Sequence, residues 1–280
     1  MFSPEDKLLI TALQAEARPF IRRLELKKQQ LEPGLELYTG AGFALIVTGI
    51  GKVPAAIKTS RVLQLAEPAG VECIANLGIC GCGDTQTPLG RLHLVNKIEE
   101  AATGRAFFPD MLVRHQLREA ALVTVDQPRA CGPDNSTCLY DMEAAGIFQA
   151  AASFLSLDRL HFFKVVSDYL SGAILPREEI ESLMDSAADD VLVFLQGLPT
   201  PDTKTLLAKD DWILLQDFRA TLRLTQSQFH QLKDMVISFR LAGGRGLSQR
   251  LSCASKAFSG PTTKVERGTA LENLKNALGT

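Results

Sequence analysis

The chain has 280 residues, of which 46% are hydrophobic and 22% charged. That is ordinary globular usage, and it excludes disorder and fibrous repeats. A formal net charge of −2 argues against a nucleic-acid partner, and no apolar run reaches the roughly 18 to 20 residues of a membrane span. The opening Met1-Phe2-Ser3-Pro4 lacks the basic and apolar regions of a secretory signal, and six cysteines are irregularly placed, so reduced thiols in a cytoplasm are expected.

Short apolar runs alternate with helical patterns over the first two hundred residues. Residues 7–13 read as a strand, and 15–26 as a helix with Phe20, Ile21 and Leu24 on one face. Residues 35–39 and 43–50 form a hairpin around Gly40-Ala41-Gly42. A helix over 52–65 tolerates Pro54 in its first turn. Then come a buried strand (72–77), a glycine-rich turn (78–83) and strands at 91–98 and 121–125. A helix over 140–155, a strand at 161–166 and an amphipathic helix over 177–195 complete this half. Such alternation predicts an α/β fold, a three-layer α/β/α domain with a central mixed sheet.

The charge balance changes near residue 200. Residues 1–200 carry 18 Lys and Arg against 25 Asp and Glu, while residues 201–280 carry 12 against 7. No acid occurs between Met235 and Val265, a window that holds Arg240, Arg245, Arg250, Lys256 and Lys264. The stretch Gly197-Leu198-Pro199-Thr200-Pro201-Asp202 supplies the boundary. Residues 1–200 are therefore read as the α/β domain and 201–280 as a basic helical C-terminal extension. There, Thr225-Gln226-Ser227-Gln228 has capping-box form, with Phe229, Leu232, Val236 and Phe239 following at helical spacing. Gly243-Gly244-Arg245-Gly246 ends that helix, and another is expected over 270–278. Packing or oligomer contact is favoured for this extension over recruitment of an anionic partner, because Phe258 is the one aromatic between Arg240 and Lys264.

In open α/β sheets ligands bind beyond the carboxyl ends of strands. Glu16, the glycine turn from Gly78, and Ser167-Asp168 each directly follow a predicted strand, and Asp141-Met142-Glu143 opens a small-residue helix. Carboxyl groups so placed can donate a proton or activate a water. Each acid also has an ordinary alternative: Glu16 and Glu143 can compensate helix dipoles, and Asp168 can cap a turn. The Cys80-x-Cys82 pair, with Cys73 nearby, lacks the partner spacing of a zinc site and reads as buried thiols, and the four histidines share no metal spacing. Gly49-Ile50-Gly51-Lys52 lacks the spacer of a P-loop and reads as a tight strand-to-helix turn. Neither metal nor cofactor is expected.

The segments Ala12-Leu13-Gln14-Ala15-Glu16, Thr48-Gly49-Ile50-Gly51-Lys52-Val53, Asn76-Leu77-Gly78, Asp141-Met142-Glu143-Ala144 and Val166-Ser167-Asp168 recur in this order in another group of proteins. The chain resembles the purine nucleoside phosphorylases and nucleosidases, most of all the 5′-methylthioadenosine/S-adenosylhomocysteine nucleosidases, over roughly residues 7–195. The resemblance implies Asp168 as the acid at purine N7, with Ser167 holding its carboxyl, and Glu16 as the base that activates water. It implies that Glu143 binds the ribose 2′- and 3′-hydroxyls, that Met142 packs on the sugar, and that Gly78 and Ile79 line the turn beside it. Ile79 stands where the family has Ser or Thr, Pro128 and Arg129 occupy the place of a purine-stacking aromatic, and Lys164 replaces an arginine. Arg129 is open to stacking on a base, binding an anionic group, or lying in an exposed loop. Phe107-Phe108-Pro109 falls where relatives shape the 5′ pocket, often across a dimer interface, so Phe108 and a homodimer or higher homo-oligomer are implied.

The expected function is hydrolysis of a purine nucleoside with a modified 5′ position, because a carboxylate at Glu16 repels a phosphate nucleophile. Phosphorolysis, cleavage of an unusual biosynthetic nucleoside, and non-catalytic nucleoside binding remain the alternatives.

Overall fold

The computed structural model describes residues 6–66, 71–134, 136–173, 175–198, 209–255 and 263–278. Residues 1–5, positions 199–202 of the proline-bearing stretch, Lys256 and Phe258 lie outside them. The chain divides into two compact units, Met1–Thr200 and Pro201–Thr280.

In the first unit the apolar runs become strands buried on both faces, as parallel strands under helices must be. β1 (Lys7–Thr11) pairs in parallel with β4 (Phe43–Val47) and β5 (Cys73–Cys82), and β10 (Leu160–Asp168) in parallel with β5. β3 (Leu35–Gly40) returns antiparallel to β4, the expected hairpin, and β2 (Lys27–Glu32) extends that edge. On the other side β6 (Leu92–Glu100) runs antiparallel to β10 and parallel to β8 (Arg118–Thr124), with β7 (Arg105–Phe107) clipped to its end. The short β9 (Leu139–Asp141) bridges β8 and the end of β5. Strands β5, β10, β6, β8 and β9 therefore close into a ring. Closure carries the ends of β8 and β9 beside those of β5 and β10, which an open sheet would not do.

Helices cover both faces. α1 (Gln14–Arg23) and α4 (Arg177–Gln196) pack on one side around Leu9, Phe20, Leu77, Phe163 and Met184. α2 (Lys52–Ala66) and α3 (Ala144–Ala151) pack on the other around Ile10, Val62, Ile74, Ile147 and Phe162. This is the three-layer α/β/α fold with a mixed central sheet. Gly146 lets α3 lie against the start of α2, because any side chain there would overlap the Lys52 carbonyl.

The structure corrects three local expectations. Gly78 to Cys82 is strand and not turn: β5 continues to Cys82, and its glycines are needed because neighbouring side chains fill the space above them. The helix expected from residue 140 begins at Ala144, since Leu139–Asp141 pairs with β5 and β8. β2 and β7 carry no alternating apolar pattern and were not anticipated.

The second unit comprises α5 (Lys209–Leu222), α6 (Gln226–Leu241), α7 (Leu247–Ser255) and α8 (Lys264–Leu278). The capping box forms: Thr225 N–H donates to Gln228 Oε1 at 3.1 Å, and Gln228 N–H donates to Thr225 Oγ1 at 3.4 Å. Leu215, Phe218, Leu232, Val236, Leu271 and Leu274 make its core. α8 begins at Lys264, six residues earlier than the sequence pattern indicates, and α5 and α7 are additional. Two of the basic residues in the acid-free window serve this unit internally. Arg240 pairs with the buried Asp211 (2.5 Å), and Arg250 lies over the Phe239 ring. No described helix is long and apolar enough to cross a membrane.

Candidate active site

Glu16 enters at the start of α1, just beyond β1. Its Oε2 accepts the N–H groups of Ala12 and Leu13, both at 2.9 Å, which is the ordinary capping role of an acid there. Its Oε1 does something further, accepting the Ile79 N–H of β5 at 3.0 Å. The side chain is 3% exposed. Burial raises this carboxyl above its usual range, opposed by the three N–H groups and by Lys164. A carboxylate has about four acceptor positions, so capacity remains for one more donor such as a water.

Gly78 makes room for this arrangement. A Cβ there would stand 2.9 Å from Glu16 Oε1 and 3.5 Å from Lys164 Nζ. Lys164 is the register partner of Gly78 on β10 and is buried. Its ammonium donates to Asp141 Oδ2 at 2.8 Å. Burial pushes the Lys164 pKa down, but Asp141, Glu143 and Glu16 together hold it above the ordinary lysine value, so it stays charged.

Glu143 precedes α3 without capping it. Its Oε1 accepts the Gly51 N–H at 2.8 Å and its Oε2 the Met142 N–H at 3.3 Å. Gly51 adopts φ +104, a conformation left to glycine, and so aims its N–H away from α2 toward this carboxylate. Asp141 takes the capping role instead, accepting the Ala144 N–H at 2.9 Å. Burial first, then the like charges of Asp141 and Glu16, push the Glu143 pKa up to about 7. Met142 is half-buried beside it.

Asp168 ends β10 after an irregularity in the ladder between Val166 and Asp168. Ser167 Oγ donates to Asp168 Oδ2 at 2.9 Å and lies 3.1 Å from the Cys80 carbonyl, and Ser171 N–H donates to Oδ1 at 3.2 Å. The turn-capping alternative is therefore realised as well. A Cβ on Gly81 would lie 3.6 Å from Asp168 Oδ1 and only 2.7 Å from Leu170 Cδ2. Glu16 and Asp168 thus both lie against β5, at Gly78 and Gly81, positions three residues apart.

Two residues stand outside this grouping. Arg129 is exposed, with its guanidinium 4.6 Å from the centre of the Tyr140 ring and 3.9 Å from Asp134. It stacks on the protein's own aromatic. Phe108 follows β7 and is 57% exposed. Conversely, sequence reasoning passed over Asp141 and Thr124. Asp141 carried a signal in its place two residues before Glu143; Thr124 carried none.

The described cysteines are free. Burial pushes the Cys73 thiol up to about 12 and raises Cys80 likewise, so both stay protonated, unlike thiolates that bind a metal. No group of metal-binding side chains occurs among the described residues.

The α/β fold of this chain is shared with several solved nucleosidases. A Helicobacter pylori 5′-methylthioadenosine/S-adenosylhomocysteine nucleosidase solved with butyl-thio-DADMe-Immucillin-A superposes with a TM-score of 0.59 at 13% identity, covering 71% of this chain and 100% of that one. The 5′-methylthioadenosine nucleosidase of Arabidopsis thaliana gives 0.55 at 22% identity, covering 72% and 100%. Futalosine hydrolase of Helicobacter pylori gives 0.55 at 13%, covering 70% and 99%. No protein-family model matches the chain, and no curated protein does. At these identities the likeness establishes the fold, and the chemistry rests on the site.

Proposed function

We propose that this protein is a nucleosidase that hydrolyses the N-glycosidic bond of a purine nucleoside modified at its 5′ position. The observation that carries the reading is that Glu16 and Asp168 both lie against β5, at Gly78 and Gly81, with Glu143 buried near Asp141, Lys164 and Glu16. The fold shared with nucleosidases supports it. In this reading Asp168, its carboxyl held by Ser167, donates a proton or hydrogen bond to purine N7 and draws off the negative charge that develops on the base. Glu16 takes a proton from the attacking water as the sugar becomes oxocarbenium-like. Glu143 accepts from the ribose hydroxyls, with Met142 against the sugar.

Hydrolysis is favoured over phosphorolysis because Glu16, Asp141 and Glu143 surround one cation, Lys164, and an excess of carboxylates repels phosphate. Incubation with methylthioadenosine, adenosylhomocysteine, futalosine and inosine, with and without phosphate, tests the reading by chromatography of the free base. Base release independent of phosphate is expected. Release that requires phosphate makes the protein a phosphorylase, and binding without release from any of the four makes it a nucleoside-binding protein.

A further inference from the structure

We infer that Thr124, Asp141 and Lys164 form a buried positioning arm that sets the two carboxylates Glu16 and Glu143, an inference that rests on the functional reading above. The arm starts at the end of β8. Ala145 N–H donates to Thr124 Oγ1 at 3.1 Å, and Thr124 Oγ1 donates in turn to Asp141 Oδ1 at 2.7 Å. The other oxygen of Asp141 accepts from Ala144 N–H at 2.9 Å and from Lys164 Nζ at 2.8 Å. Asp141 is thereby held by three donors from β8, α3 and β10, and its carboxylate cannot turn without losing one. It pins the ammonium beside Gly78, whose Cβ position lies 3.5 Å from Nζ and 2.9 Å from Glu16 Oε1.

Stability alone does not account for this arm. Both charges are out of water, the Lys164 and Asp141 side chains being 2% and 0% exposed. A buried pair of this kind returns little net stability against apolar residues of the same volume. What it provides is a fixed positive charge near enough to Glu16 and Glu143 to favour their ionised forms. The charged and titratable groups facing the cluster are Glu16 from α1, Asp141 from β9, Glu143 ahead of α3, and Lys164 from β10, with Cys80 of β5 and Asp168 of β10 next to them. One cation among three close carboxylates favours ionised Glu16, as three backbone N–H groups also do, against the burial that raises it, while burial and the charge of Asp141 push Glu143 up to about 7.

The test uses the full chain with Lys164→Met and Asp141→Leu combined, which removes both charges and leaves apolar side chains in their place. Thr124→Val, which frees Asp141 Oδ1 and the Ala145 N–H while keeping both charges, and Lys164→Arg, which keeps the cation, complete the set. Carbon-13 NMR titration of the Glu16 and Glu143 carboxyls reads the arm whether or not a nucleoside is turned over. Kinetics against pH read it through catalysis. In the double variant Glu16 should titrate about one pH unit or more higher. Its kcat should fall about tenfold or more, with KM changed less than about threefold and the acid limb of the pH profile moved upward. Thr124→Val should shift the same quantities less, and Lys164→Arg should restore the wild-type titration. Wild-type Glu16 titration in a folded double variant overturns the inference, as does unchanged titration in Thr124→Val should the double variant fail to fold. If the wild type hydrolyses no nucleoside, the functional reading fails, and the NMR titration still decides whether the arm sets the carboxylates.

Discussion

A Cβ on Gly78 of β5 would stand 2.9 Å from Glu16 Oε1, so the glycine leaves room for a carboxylate that three backbone N–H groups hold in place. Lys164, the register partner of Gly78 on β10, would meet the same Cβ only at ordinary contact distance, 3.5 Å. The missing side chain therefore serves the acid rather than the cation.

Replacing Asp168 by Asn keeps Oδ1 as an acceptor for Ser171 N–H and removes the acid. We expect kcat for base release to fall a hundredfold to ten-thousandfold, the range of a lost general acid, with the urea midpoint almost unchanged. A fall below about fivefold would assign Asp168 to the turn alone.

The Glu143 carboxyl, pushed up to about 7 from 4.5, makes a stability contribution that is fully present below pH 4.5 and is lost as pH rises through 7. Glu143→Gln cannot ionise and its amide oxygen can still accept from Gly51 N–H. Chemical denaturation should find this variant gaining stability relative to wild type between pH 5 and pH 8. No gain over that interval contradicts the raised pKa.

His161 acts in the opposite direction. It is buried, its Nε2 has no hydrogen-bond partner, and its ring meets that of Phe194 edge-on at 5.3 Å. Burial lowers its pKa from 6.5 to about 4, so its contribution is present above pH 6.5 and lost as pH falls through 4. The shift corresponds to about 3 kcal/mol once the imidazole is forced to ionise. His161→Phe should remove that acid sensitivity, measured as a smaller drop in unfolding free energy from pH 7 to pH 4.

Gly146→Ala should cost about 1–3 kcal/mol or more, because the new methyl meets the Lys52 backbone carbonyl and neither helix can yield without repacking. The same displacement moves Gly51, whose N–H holds Glu143. Affinity for nucleoside, measured by calorimetry in the folded variant, should weaken together with the melting temperature.

Much of this could be read along the chain. Runs such as those ending at Thr11, Val47 and Asp168 are apolar enough to be strands only if covered on both faces, and that condition already implies helices above and below. The acids following such strands stand out because a carboxylate is costly to bury without a purpose. Less legible were β2, whose Lys and Gln residues lie on an exposed edge, and β9, three residues long and continuous in pattern with the helix after it. The 78–83 segment misled because glycine commonly signals a turn; here its lack of a side chain serves neighbours remote in sequence.

What the amino-acid order alone determined was the inventory: a layered α/β unit, a basic helical extension, two acids placed after strands and a third at a helix start, since periodicity and burial cost are local properties of a chain. Tertiary structure decided which groups meet. Closure of the strands into a ring brought Thr124 and Asp141 to Lys164, and it turned Arg129 onto Tyr140. Such choices depend on through-space distance, which chain position does not encode until the sheet closes.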